Sequence, residues 1–323
     1  MNYGIPYKGS KNKIAENIIA QLPSAKHFYD LFGGGGAMTH CALLSGKYKY
    51  VHYNEFNHLV FKAFKMAING EFKGENRWIS KEDFERLKDS DPYVACCFSF
   101  GNDFKTYAYG KNCELFKKAV HYSIVFDDNS LLNNYIDLKD FKYRSNNIKE
   151  RRSELYSLLK KSKLNVEYGK PNQPVSQHQI WLERLQNFGR LERFQSLGRL
   201  ERFQSLGRLE RLQNLESINN GVLLSNLSYE EVPIEEDSVI YCDPPYKNTN
   251  TYLDDFDHEK FYSWLRTLKQ QVFISEYQMP DDFYEVFSIK KRVPFNRNQN
   301  IQKVEKLFVN MGYESVYTQM NLF

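Results

Sequence analysis

Four consecutive glycines, Gly33-Gly34-Gly35-Gly36, stand between a short β-rich segment at residues 27–31 and an apolar helical segment at 37–44, and a second strand pattern follows at 48–53. Strand, tight loop, helix and strand in such quick succession leave few options. Strands joined through a helix run parallel, and a parallel sheet has to be covered on both faces. Upstream, Ser10 is placed to cap a helix whose Ile14, Ile18, Ile19 and Leu22 recur at helical spacing before Pro23 ends it. The same grammar returns at 238–242, an apolar run stopped by Asp243-Pro244-Pro245, because consecutive prolines cannot continue a central strand. A helix carrying Phe261, Trp264, Leu265 and Leu268 comes next, then a strand at 272–275 and further strand candidates at 285–289 and 306–309. The chain therefore reads as one α/β domain split by a long insertion.

The insertion has a different character. Residues 65–175 are aromatic and polar without sustained alternation of strands and helices, and the stretch 139–170 holds ten Lys/Arg against four Asp/Glu. That local excess matters because the whole chain, with Lys+Arg 44 and Asp+Glu 40, carries only +4 and is too mildly basic to identify a nucleic-acid partner by itself. A second basic cluster, Lys290, Lys291 and Arg292, is the alternative location for such a footprint. No apolar run approaches the roughly 18 residues of a membrane span, and the basic residues near the amino terminus lack the apolar core of a secretory signal. Cys41, Cys96, Cys97, Cys113 and Cys242 are odd in number and lack metal-site spacing, so free thiols, a cytoplasmic setting and no bound metal are expected.

From 182 to 217 a nine-residue unit repeats as LERLQNFGR, LERFQSLGR, LERFQSLGR and LERLQNLES, with an apolar residue at every third position. Three matches neither the 3.6 of an α-helix nor the 2 of a strand, and Gly189, Gly198 and Gly207 are expected to break each unit. Helical segments broken at the glycines and a small solenoid-like stack both remain open. Functionally the units read as a spacer, a partner surface, a DNA-backbone contact or a solvated face bearing arginines.

Three positions suggest chemistry. Glycines between strand and helix let the backbone turn with positive φ and let a ligand approach main-chain atoms, although such a turn is as often purely structural. No Lys-Ser/Thr follows it, which disfavours a phosphate-cradling loop of the ATPase kind. Glu55 closes the next strand nineteen residues beyond Gly36, where nucleoside-binding α/β folds keep a carboxylate for the ribose hydroxyls. Asp243-Pro244-Pro245-Tyr246 follows a buried strand, at the sheet end where open α/β folds bind ligands. Its prolines fix a stiff turn that offers the Asp243 carboxylate and the Pro244 carbonyl as paired acceptors beside the Tyr246 ring. Such a set suits a planar ligand presenting an NH2 group; a Pro-rich turn with an Asx-type hydrogen bond is the bland alternative.

In their order, Pro6-Tyr7-Lys8-Gly9-Ser10-Lys11, Asp30-x-Phe32-x-Gly34-x-Gly36, Asn54-Glu55 and Asp243-Pro244-Pro245-Tyr246 resemble the Dam-type DNA adenine-N6 methyltransferases, whose target recognition region lies between the cofactor loop and the catalytic tetrapeptide. The likeness extends to Phe256-Asp257-His258, Phe273-Ile274-Ser275-Glu276 and Glu305-Lys306-Leu307, and the motifs at 99–103 and 107–111 resemble phage and mobile-element members. The resemblance implies a Rossmann-like methyltransferase sheet with an inserted, mainly helical recognition domain. The catalytic domain would comprise 1–64 and 220–323, the recognition insertion 65–175 and the repeat segment 176–219. Tyr7 and Lys11 would lie beside the methionine end of S-adenosylmethionine, with Asp30, Phe32, Gly34 and Gly36 as the cofactor wall and Glu55 on the ribose. Asp243, at the border of both ligands, would share the adenine amino group with the Pro244 carbonyl, Pro245 would stiffen the turn, and Tyr246 would stack on the extruded base. Contacts to double-stranded DNA are expected from Asn102, Lys105, Tyr107, Lys149, Arg151 and Arg152. A monomer is expected, with a restriction endonuclease partner left open. Competing readings are methylation of a cytosine amino group or a protein amide, and a catalytically silent DNA-binding relative.

Overall fold

Five consecutive buried residues, Ser238–Cys242, form a strand covered on both faces. The computed structural model that contains it describes residues 2–135, 138, 140–167, 204–247, 256–292 and 302–310. In chain order the elements are α1 (Ala15–Gln21), β1 (Ala25–Asp30), α2 (Ala37–Ser45), β2 (Tyr48–Asn54), α3 (His58–Ile68), α4 (Lys81–Leu87), α5 (Pro92–Phe98), α6 (Lys111–Phe126), α7 (Ile148–Glu167), α8 (Gln204–Gln213), β3 (Val222–Ser225), β4 (Ser238–Cys242), α9 (His258–Thr267), β5 (Gln271–Glu276), β6 (Tyr284–Arg292) and β7 (Gln302–Val309). Contacts group them into two units, residues 1–71 with 215–323, and residues 72–214.

The first unit holds a seven-stranded sheet in the order β3-β2-β1-β4-β5-β7-β6. The first five strands in that order are parallel, whereas β7 runs antiparallel to both neighbours. Successive side chains of β4 serve opposite faces. Val239 and Tyr241 join Phe28, Val51 and the apolar sides of α1 and α2; Ile240 and Cys242 join Tyr29, Leu31 and Phe261 and Leu265 of α9. Truncating Ile240, which is fully buried, to Ala would cost about 2–5 kcal/mol. From β1 the chain moves outward to β2 and β3 and then returns to place β4 on the other side of β1, which creates the topological switch point where such sheets bind ligands.

Two expectations about elements are corrected. Ser10 does not cap α1: its Oγ accepts from the Asn12 amide at 3.3 Å, and the helix begins only at Ala15, because the intervening turn closes through Ile14 N–H to the Lys11 carbonyl at 2.8 Å. The four-residue β3 was not anticipated; it extends the sheet past β2 in register Val51↔Val222 to Asn54↔Ser225.

The second unit is helical among its described residues, with a core of Ala119, Val120, Ile124, Leu132, Leu138, Leu155 and Leu206. The described part of the repeats begins in α8, which runs through Gly207 instead of breaking there. A Cβ on Gly207 would stand 2.8 Å from the Arg152 guanidinium, so glycine permits a close approach at that point. The helix buries Ser205, Leu206, Arg208, Leu209 and Leu212, an ordinary α-helical face on which the three-residue apolar spacing is only part of the pattern. Arg208 donates to the Cys97 carbonyl at 3.1 Å and the Ser99 carbonyl at 2.5 Å and so closes the carboxyl end of α5. Beyond α8, residues Asn214–Gly221 tighten into a 3-10 helix, whose three residues per turn do match the spacing and bury Leu215 and Ile218. Gly189, Gly198 and the earlier units lie outside the described residues.

Among the described residues no helix is long and apolar enough to cross a membrane, and no group of three or more His, Cys, Asp or Glu is arranged to hold a metal ion.

Candidate active site

Everything at the switch point starts from the carboxyl ends of β1, β2 and β4. After Asp30 the chain enters the glycine loop, where Gly33 N–H donates to the Asn54 carbonyl at 2.8 Å and Ile5 N–H donates to the Gly35 carbonyl at 2.7 Å. Gly36, at φ +69°, caps the amino end of α2, and a Cβ there would stand 2.1 Å from the Phe64 ring. Gly34, at φ +48°, would bring its Cβ within 3.0 Å of the Tyr7 ring. Both positions demand glycine for backbone conformation and for packing from behind. Glu55 braces the loop from the end of β2: one carboxylate oxygen accepts from Gly34 N–H at 2.7 Å and the other from Asn57 N–H at 2.8 Å. Burial pushes the Glu55 carboxyl up, against the pull of those two amides. Next to it the Phe56 side chain is 76 % exposed.

Asp30 does not open onto the surface. It is buried, and one oxygen accepts from Thr39 N–H at 3.1 Å and Thr39 Oγ1 at 2.7 Å, which ties β1 to α2. Burial, with a smaller push from the Asp243 and Glu55 carboxylates, raises its carboxyl to about 7 in spite of those bonds. Phe32 turns towards α9 and meets Tyr229, Phe256 and Phe261 at ring distances of 5.4, 5.8 and 5.5 Å.

At the end of β4, Lys11 Nζ lies 2.6 and 2.7 Å from the two oxygens of Asp243 and 3.1 Å from Glu305 Oε1 on β7. Burial alone would lower the Lys11 pKa, but Asp243 and Glu305 together overcome it and hold it near 12. The Tyr246 hydroxyl donates to Glu305, the Lys11 ammonium lies 4.9 Å from the Tyr246 ring centroid, and Tyr277 meets that ring edge-on at 4.7 Å. Burial, together with Asp243 and Glu305, pushes the Tyr246 phenol far above its usual range. Asp243 retains 20 % side-chain exposure and Pro244 is buried. Glu276, at the end of β5, accepts from Lys247 N–H at 2.7 Å and Tyr277 N–H at 2.6 Å, so it fixes the backbone immediately after the tetrapeptide. A carboxylate has about four lone-pair positions, so Asp243 can accept from a second N–H donor while Lys11 holds it.

The structure thus brings Tyr7, Lys11, Asp30, Gly34, Gly36, Glu55, Asp243 and Tyr246 to one end of the sheet. The roles of Glu305, Glu276 and Asn54 did not follow from the sequence. Asn54 is buried; its amide donates to the Leu31 and Leu227 carbonyls, each at 3.0 Å, and accepts from Ser225 Oγ and Leu227 N–H, which gathers three strand ends. Residue pattern alone shows an acid or an amide at a strand end, not which neighbours it will meet.

Residues expected at DNA divide in the second unit. Asn102 and Lys105 lie on a turn closed by a Ser99↔Tyr107 bridge, where Gly101, Asn102 and Phe104 all have positive φ and Phe100 is 61 % exposed. Lys105 and Lys149 are exposed and Arg152 pairs with Glu210 at 3.2 Å. Tyr107 and Arg151 are buried. Tyr107 donates to the Ile79 carbonyl at 2.9 Å, and Arg151 donates to the Ser145 carbonyl at 2.7 Å, the Ile124 carbonyl at 3.2 Å and Asn146 Oδ1 at 2.9 Å. Both side chains serve the interior of the insertion.

A comparison with curated proteins finds no match. Residues 7–189 match the D12 class N6 adenine-specific DNA methyltransferases, a span that contains Tyr7 to Lys11 of the amino-terminal motif, the glycine loop, Glu55 and most of the second unit, and ends before Asp243. With more than half of the chain matched and the tetrapeptide standing in register at the switch point, this protein belongs to the D12 class of N6 adenine-specific DNA methyltransferases.

Proposed function

We propose that the chain methylates the N6 amino group of an adenine extruded from double-stranded DNA at a specific site, with S-adenosylmethionine as the donor. The observation that carries the reading is the Asp243 carboxylate at the carboxyl end of β4, held by a nitrogen donor at both oxygens yet still partly open. The residues present fit the donor molecule: Glu55 offers a carboxylate to hydroxyl groups, exposed Phe56 offers an apolar face, and half-buried Gly34 puts a main chain without a Cβ beside the Glu55 carboxylate. When bound, S-adenosylmethionine supplies a methyl group already activated on a sulfonium.

The chain's own contribution is positioning and electrostatics. An aromatic amine is a poor nucleophile because its lone pair is delocalised into the ring. Asp243 and the Pro244 carbonyl accept from its two N–H bonds and return electron density to nitrogen. Lys11 pairs with Asp243 and fixes its position, Tyr246 gives the base a stacking face, and Glu305 and Tyr277 hold that ring in place. A duplex hides the amino group, so the base has to leave the stack, and an aromatic surface offsets part of the lost stacking. In the finer parts of this reading the chain acts as a cytoplasmic monomer, with or without a restriction endonuclease beside it, as a relative of phage and mobile-element enzymes. Residues 65–175 read the target sequence, and the repeats space or stabilise that region.

The test is to express the protein in a methylation-free host and sequence its DNA by a method that detects modified adenines, alongside Asp243→Ala. Wild type should mark adenines in one sequence context, and the variant should mark none while it still binds S-adenosylmethionine. Marked adenines at the wild-type level in Asp243→Ala would remove Asp243 from the chemistry.

A further inference from the structure

The β6–β7 hairpin continues past the rest of the sheet. β5 ends at Glu276, which pairs with Lys306, whereas β6 and β7 stay paired through Ile289↔Glu305, Lys290↔Val304, Lys291↔Lys303 and Arg292↔Gln302. At about 3.3 Å per residue those four further rungs carry the hairpin roughly 13 Å beyond the end of β5. Since Cys242 pairs with Ile274, Asp243 lies at the level where the parallel strands stop, and the overhang stands above it on the same side of the sheet end.

Charge is segregated along the hairpin. In the lower part Lys306 is neutralised by Glu285 at 2.6 Å. The overhanging rungs contain Lys290, Lys291, Arg292 and Lys303, and their only acid, Glu305, is buried and turned to Lys11 and Tyr246. Lys290 is exposed, and the register places Lys291 opposite Lys303, so that three of the four overhanging rungs carry a basic residue and the acid of the fourth is engaged elsewhere. We infer that this overhang is a phosphate-binding surface that grips the DNA backbone beside the extruded nucleotide. The nearest anions to a base bound at Asp243 are the phosphates flanking that nucleotide, and β7 joins the two features through Glu305. The inference rests on the proposed function, because it needs duplex DNA at the site.

Lysines on an edge strand also guard against strand addition, and the experiment separates the two roles. Full-length wild type, Lys290→Gln and the triple variant Lys290→Gln/Lys291→Gln/Arg292→Gln are titrated with a fluorescein-labelled random-sequence duplex over a range of salt. Each lost phosphate contact should make the slope of log affinity against log salt shallower by about 1, and the triple variant should bind about tenfold or more weakly at moderate salt. In methyl transfer the DNA KM should rise while kcat and S-adenosylmethionine affinity stay near wild type. A triple variant that is folded, or a single variant if the triple one is not, with the wild-type salt slope and KM would overturn the inference and leave the edge-guard role. If wild type itself marks no DNA, the proposed function fails instead, and the two failures are thereby distinct.

Discussion

Glu276→Gln should flatten the dependence of stability on pH. The Glu276 carboxyl is pushed up from 4.5 to about 7, first by burial and then by the Asp243 and Glu305 carboxylates, against the pull of the Lys247 and Tyr277 amides. A folded-state pKa above the unfolded value means that the native protein keeps a proton which the unfolded chain releases. Its contribution to stability is therefore whole below about pH 4.5 and is lost as pH rises towards 7, beyond which it stays constant. A gap of some two and a half units at about 1.4 kcal/mol each gives a loss of about 3 kcal/mol across that window. Glutamine carries no charge at any pH but can accept at only one oxygen, and its NH2 group would oppose one of the two amides. At pH 5 the variant should therefore be less stable than wild type by about 1 kcal/mol. By pH 8 the order should reverse, with the difference between the two proteins moving by about 2–3 kcal/mol. Asp30, also raised to about 7, titrates in the same window in both proteins and cancels from that difference. Urea unfolding of both proteins at several pH values from 5 to 8 measures it. Parallel curves would refute the reasoning and show that Glu276 is ionised in the native state throughout.

Other expectations follow from single contacts. Glu55→Ala should weaken S-adenosylmethionine binding by about 1–3 kcal/mol in calorimetry, since a charged acceptor is lost and Gly34 N–H is released from its brace. Within the basic segment, Lys149→Glu should lower DNA affinity with an unchanged melting temperature. Arg151→Ala should instead lower the melting temperature, because the Ser145 and Ile124 carbonyls lose their donor; equal melting temperatures for the two variants would contradict the burial of Arg151. Removing residues 191–199 should leave melting behaviour and the modified DNA sequence unchanged, because 200–208 is identical to the unit removed. Removing 191–208 would bring Phe188 to the place of Leu206 in a filled core and should lower stability by about 1–3 kcal/mol.

Much of the catalytic half was legible because its signals are local. Glycines at φ +48° and +69° and a strand ended by two prolines leave their mark within a few residues, and β4 begins and ends where the apolar run does. β3 was not legible, since four residues behind Asn219-Asn220-Gly221 carry too little periodicity, and only pairing with β2 makes them a strand. Ser10 followed the rule for a helix cap, but the chain uses the next turn to aim Lys11 at Asp243, a partner 232 residues away. The same distance hides Glu305, whose importance depends on β7 lying beside β5. Arg151 and Tyr107 mislead in the other direction: a cation and an aromatic in a basic segment look like a nucleic-acid surface until the carbonyls that occupy them are seen.

Arg208 seals the end of α5 from within a repeated unit, and the unit before it spells the same nine residues. When the gene gains or loses one of these identical nine-codon copies during replication, the residues presented to the Cys97 and Ser99 carbonyls stay the same, because another copy takes the docking place. The array can therefore change length between generations without selection at that joint. A copy that has diverged, as LERLQNFGR has, still ends in an arginine but would set Phe188 where Leu206 packs, and there the freedom ends.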